Sequence, residues 1–194
     1  KKLNNTVSCN YNFQEVLDTS RPLLLVNATN YLMSSTDTVM LGIWCTSSDV
    51  GVYNVAIKIT LLFSMIISAI NALFGPKFAV LYNNNKIEKL KKLVKKISRY
   101  MLVFSIILCL VILIFSDRIL LLWGSQFLIA KPVLIISLVG QFFVLSKGPL
   151  ATLLMMCGCE KQHRNNTIFF SILNTILNII LINMSGIYGA ALST

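Results

Sequence analysis

Apolar residues fall into five long runs, Pro22–Trp44, Val52–Leu73, Tyr100–Phe115, Val133–Met156 and Ile168–Ile182, with polar stretches between them. A helix needs about 20 mostly apolar residues to cross a bilayer, so each run is predicted as a membrane span. The third and fifth are short and borrow a turn from their flanks. Thr19-Ser20 ahead of Pro22, and Pro132 ahead of the fourth run, read as helix starts. The polar residues inside the first run are not scattered. Asn27, Asn30, Ser34 and Asp37 fall within roughly a quarter of a helix circumference at ~100° per residue. One carboxylate at a span centre costs about 2.5–3.5 kcal/mol, so this stripe has to face protein or water.

Other runs carry stripes too. In the second, Thr60, Ser64, Ser68, Asn71 and Gly75 share one face, the spacing of small residues where membrane helices pack closely. Asn54 and Lys58 lie about a third of a turn from that face. Lys58 and Asp37 are nearly equidistant from the middle of the loop that joins their helices, about 10 Å below the outer helix ends. The two charges are therefore expected to approach each other or to share one polar cavity. Taken singly, Lys58 snorkels outward and Asp37 is a structural partner for amides. The fourth run carries Gln141, Gly148 and Thr152 on one face, with Lys147 about a third of a turn away, near the bilayer midplane. Gly148-Pro149 weakens the helix there and frees a carbonyl, which makes either a structural kink or a hinge beside a binding site. The fifth run adds Ser171, Asn174 and Asn178. The candidate cavity lining is thus Asn27, Asn30, Ser34, Asp37, Asn54, Lys58, Gln141, Lys147, Asn174 and Asn178.

Composition agrees with the pattern. Hydrophobic residues make up 56% of the chain and charged residues 12%, against about 25% charged in soluble domains, and the mean hydropathy is +0.75. The fold class expected is an all-α integral membrane protein, a polytopic helical bundle. Residues 1–21 are expected to be a cytoplasmic segment or linker, residues 22–194 the transmembrane bundle, and residues 77–99 a basic amphipathic cytoplasmic segment within it. The net charge of +10 raises nucleic acid as a partner, but most of it sits in KIEKLKKLVKKISR, where Ile87, Leu90, Val94 and Ile97 recur at helical spacing. That is a lysine-faced helix, an anchor on an acidic leaflet, and no nucleic acid is expected.

Lys1, Lys2 and Arg21, the Lys77–Arg99 run, and Lys161 with Arg164 share one side of the membrane, while Arg118 and Lys131 are on the other. By the positive-inside rule the first side is cytoplasmic. The fifth span then ends outside without a return partner, and no signal-peptide pattern follows Lys1, so a piece of a longer protein is expected. The five cysteines are an odd number without CxxC spacing, and one histidine and seven dispersed carboxylates offer no catalytic constellation. No enzyme, cofactor or metal is expected.

Several stretches resemble the polysaccharide flippases of the multidrug, oligosaccharidyl-lipid and polysaccharide exporter superfamily. DTVMLGIWCTSSDVGVYNVAIKI (Asp37–Ile59) is similar to the opening of that family's second half, and FGPKFAVLYNNNKIEKLKK to its exit into a basic loop. ILLLWGSQFLIAKPVLIISLVGQ resembles its outer turn and next helix, and GIYGAALST the segment before a final helix. The resemblance implies two six-helix bundles around a cavity that opens alternately to either side, with the five spans here as the seventh to eleventh of about twelve. It also implies transport of undecaprenyl-pyrophosphate-linked oligosaccharide, an O-antigen or other polysaccharide repeat unit, across the bacterial cytoplasmic (inner) membrane. The implied partners are that substrate, membrane lipids, a coupling proton or sodium ion, and polysaccharide polymerase and chain-length proteins. Lys58 or Lys147 suits the pyrophosphate, and amides and hydroxyls suit the sugar. A drug or small-molecule cation antiporter of the same superfamily is the rival, which the two lysines oppose. A membrane-embedded polymerase is another, with only Asp49, Asp117 and Arg118 to offer outside.

Overall fold

The computed structural model describes residues 13–193, and Asn30 and Ser34 lie outside the residues whose side chains are described. Among the described residues every regular element is helical: α1 Phe13–Trp44, α2 Ser47–Asn83, α3 Ile87–Leu121, a 3₁₀ turn Ser125–Ala130, α4 Lys131–Ser146, α5 Leu150–Met156, α6 Glu160–Ser185 and α7 Ile187–Ser193. Four stretches are long and apolar enough to cross a membrane: α2, α3, the run Ser125–Met156 and α6. With 32 residues α1 is long enough to cross as well, although its polar stripe keeps it out of the four most apolar stretches. Ile107, Ile114, Phe169 and Ile180 are among many large apolar side chains exposed on the outside of the bundle. Water would not tolerate so much contiguous apolar surface, whereas acyl chains are its natural solvent. The chain is a polytopic α-helical membrane protein.

Most of the helices outrun the apolar runs that predict them. Expected as a start, Pro22 lies inside α1, which begins nine residues earlier; likewise Pro76 is inside α2. A proline removes one amide donor and crowds the preceding turn, and packing on neighbouring helices outweighs that penalty here. The lysine-rich segment is not a separate helix lying on the membrane surface. It is the first part of α3, because nothing between Ile87 and Leu121 breaks the helix, and it buries Leu90 and Ile97 against the bundle. At 1.5 Å per residue α3 spans about 50 Å, well beyond a hydrocarbon core of ~30 Å.

The fourth run does break at its Gly-Pro step. α4 stops at Ser146, Gly148 takes a φ of 72°, and α5 starts at Leu150. The freed Lys147 carbonyl accepts a hydrogen bond from Ser98 Oγ of α3 at 3.4 Å. The start of α2 is held by a capping box, in which Thr46 Oγ receives the Asp49 amide and the Asp49 carboxylate receives the Thr46 amide. α1 packs chiefly on α6, while α4 lies against α2 and α3. Beyond the turn at Gly186, α7 folds back onto α6 and also reaches α4. Gly189 permits this contact, since a Cβ there would run into the Leu181 carbonyl.

Candidate functional site

The site forms where α1, α2, α4 and α7 face one another, with α6 behind. Asp37 on α1 is 5% exposed. Its Oδ2 accepts a hydrogen bond from Tyr53 Oη of α2 at 3.1 Å, and its Oδ1 accepts one from Asn178 Nδ2 of α6. Asn178, with no exposed surface, also donates to Asn174 Oδ1 at 3.2 Å and accepts from Ser193 Oγ of α7. Asn174 closes the ring by donating to the Ser193 carbonyl at 2.7 Å. A carboxylate buried among helices is tolerable only with such donors around it, and here they come from residues far apart in sequence.

Beside this network lies a cavity of about 250 Å³. Asp37, Thr38, Tyr53, Asn54, Thr60, Ser64, Ser137 and Gln141 contribute its polar lining, and Ile57, Leu61, Val144 and Ala191 its apolar part. Thr38 Oγ1 donates to Asn54 Oδ1 at 3.4 Å across the α1–α2 wall. Ser137, 6% exposed, finds no hydrogen-bond partner for its buried Oγ among the described residues. Along α2 the lining covers Tyr53 to Ser64, roughly 10–25 Å below the helix start. The cavity thus occupies the half of the bundle away from the lysine-rich end. The small-residue stripe of α2 is split accordingly. Thr60 and Ser64 line the cavity, whereas Gly75 packs against Thr152 and Met156 at the α5 end.

The ten candidate residues separate into groups. Asp37, Asn54 and Gln141 line the cavity, and Asn174 and Asn178 belong to the network behind Asp37. Asn27 is exposed and outside the lining. Asn30 and Ser34 lie outside the described side chains. The expected meeting of Asp37 and Lys58 does not occur. Lys58 is exposed, and its Nζ sits 5.4 Å from the centroid of the Trp123 ring. Among the described residues the ion pairs are Lys91–Glu88 and Lys131–Asp117. Matching depth was not sufficient, because the face of α2 turned to the cavity is centred near Ile57, Leu61 and Ser64. Lys58 is about 100° away around the helix from that centre and takes the outward route, toward an aromatic ring. Lys147 is also exposed and outside the lining, at the end of α4 where the helix breaks. Sequence reasoning missed Tyr53, Ser137 and Ser193. Tyr53 stood inside the Val-Gly-x-Tyr segment quoted above, but its hydroxyl had no visible partner until α1 was placed beside it.

Asp37 is thus a carboxylate held by one amide and one phenol at the edge of a polar cavity, inside a helical membrane bundle. The MatE family model matches residues 22–190. The chain belongs to the MatE family. Within it, the chain is similar to the "Probable low-salt glycan biosynthesis flippase Agl15" of Haloferax volcanii, at 28% identity over 191 residues, covering 94% of this chain and 39% of that protein. This MatE chain therefore spans well under half the length of the relative it matches. No solved structure matches it.

Proposed function

We propose that this MatE chain supplies most of one helical bundle of a flippase that carries lipid-linked oligosaccharide across a bacterial cytoplasmic membrane by alternating access. The observation that carries the reading is the cavity itself: hydroxyls and amides beside a buried carboxylate, with apolar helices outside. Sugar hydroxyls both donate and accept, so Asn54, Gln141 and Ser137 suit them as partners. The undecaprenyl tail remains among the acyl chains. The printed name of the Haloferax volcanii relative, a glycan biosynthesis flippase, supports the substrate class. The pyrophosphate is not assigned to Lys58 or Lys147, since neither lines the cavity.

Asp37 is assigned the coupling cation, a proton or a sodium ion. A carboxylate takes up a proton or ligates a hard cation, and loading it would displace the Tyr53 and Asn178 hydrogen bonds that now tie α1 to α2 and α6. Polysaccharide polymerase and chain-length proteins are the proposed partners in the membrane.

One observation favours a second reading, an antiporter for a cationic small molecule. Without the two lysines, Asp37 is the charged group in the described lining, and a cationic guest would be welcome there. The experiment uses the full-length protein with Asp37→Asn in a strain lacking the native gene. It measures precursor held on the cytoplasmic side, surface polysaccharide, and efflux of a cationic dye. Retained precursor with lost surface polymer supports the flippase. Normal polymer with lost dye efflux would replace it by the antiporter.

A further inference from the structure

A second cavity, of about 630 Å³, lies between α2 and α3 and shares no lining residue with the polar site. Ile66, Ile70 and Phe74 form one wall, Tyr100 and Phe104 the other, and Leu145 of α4 lies at the back. Arg99 is the charged residue in this lining. Two lysines join it at the same end. Lys77 Nζ is 5.2 Å from the centroid of the Phe74 ring, and Lys96 Nζ is 5.9 Å from that of Tyr100. Each aromatic wall therefore has an ammonium beside it. Glu88 is the one acid between Lys77 and Phe115, and Lys91 holds it at 3.2 Å.

We propose that this groove binds one anionic phospholipid from the leaflet on the lysine-rich side. An acyl chain lies in the trough between α2 and α3, and the phosphate rests among Lys77, Lys96 and Arg99. The shape and polarity suit this occupant: the trough is apolar along its length and cationic at one end. Its volume is within the range of ligand sites, about 300–1,000 Å³. Arginine pairs with phosphate through two parallel hydrogen bonds, and basic recesses between helices on this side attract anionic head groups. Tyr100 carries the one hydroxyl in the described lining, which leaves a glycan head group few partners here, and a zwitterionic lipid carries its own ammonium into a cluster of three cations. The groove also touches the α4–α5 break. Leu145 is its back wall, and Ser98, next to Arg99, donates to the Lys147 carbonyl.

The test uses the purified full-length protein in detergent, titrated with phosphatidylglycerol or phosphatidylcholine and read by native mass spectrometry. Wild type is expected to hold one phosphatidylglycerol about five- to tenfold more tightly than phosphatidylcholine. The combined variant Lys77→Gln, Lys96→Gln, Arg99→Gln should bring that ratio to about one. All three side chains are exposed, so its folding is not at stake. Ile70→Trp, which fills the trough, should weaken the retention of both lipids. The proposal is overturned by equal affinity in wild type, by a preference that survives the charge variant, or by unchanged retention in Ile70→Trp. It is equally overturned by a co-purifying polyprenyl-linked glycan that phosphatidylglycerol fails to displace, which would give the groove to the transported lipid.

Discussion

Asp37 is tenable where it stands because Tyr53 and Asn178 donate to its two oxygens. Removing one donor leaves a buried carboxylate short of a partner, and hydrogen bonds to charged groups are worth about 1.5–3 kcal/mol. Asn178→Ala is therefore expected to lower stability by about that amount, seen as an earlier thermal transition in detergent, and Tyr53→Phe by somewhat less because Tyr53 keeps its packing. If Asn178→Ala melts like wild type, the network is not what supports Asp37. Lys58→Ala is expected to export normally, since the ammonium lies over Trp123 and not in the cavity. Lost export at normal protein level would return Lys58 to the transport path. At the α1–α2 connection, burial and then the charge of Asp49 raise the Cys45 thiol above its ordinary range. Less thiolate is then present near pH 7, and Asp49→Asn should speed maleimide labelling of Cys45 at fixed pH in a variant without the other cysteines. An unchanged rate would remove Asp49 as a cause.

Elements rather than single side chains explain the break in the fourth span. Gly148 has a left-handed φ of 72°, and a Cβ there would lie 2.5 Å from Ser98 Oγ and 3.2 Å from Ser98 Cα. The first contact yields to a side-chain rotation, but the second is backbone. Gly148→Ala should therefore cost about 1–3 kcal/mol in the same melting assay, and Ser98→Ala should relieve only part of that loss. Full rescue by Ser98→Ala would mean that crowding alone, and not the φ, demands glycine. The break was legible from Gly148-Pro149 because proline and glycine act locally. What was not legible was the partner of the freed carbonyl. Ser98 is 49 residues from Lys147, and no local rule joins them. The lysine-rich segment shows the converse. Leu90 and Ile97 are buried at helical spacing, but that spacing is the same whether a helix lies on a membrane or continues into a span.

At the scale of the molecule, the distribution of basic residues predicts that the Asn83–Lys86 turn and the Ser125–Ala130 turn lie on opposite sides of the membrane. Cysteine introduced at Asn85 should be blocked by an impermeant maleimide only from the cytoplasmic side, and cysteine at Ser125 only from outside. Labelling of both from one side would overturn the topology. The stripes in the sequence sufficed to reveal a polar interior because an apolar solvent penalises every polar group that does not face protein or water. Of the striped residues, Asp37, Asn54 and Gln141 line the cavity, and Asn174 and Asn178 stand in the network behind Asp37. Helical class, the membrane setting and the existence of a polar site thus follow from hydropathy and period alone, properties of each segment taken by itself. Which polar residues meet depends on how each helix is rotated about its axis and which neighbour it faces. Those two quantities are set by packing between distant segments, so the tertiary structure alone turned Lys58 toward Trp123 and brought Tyr53, Asn178 and Ser193 around Asp37.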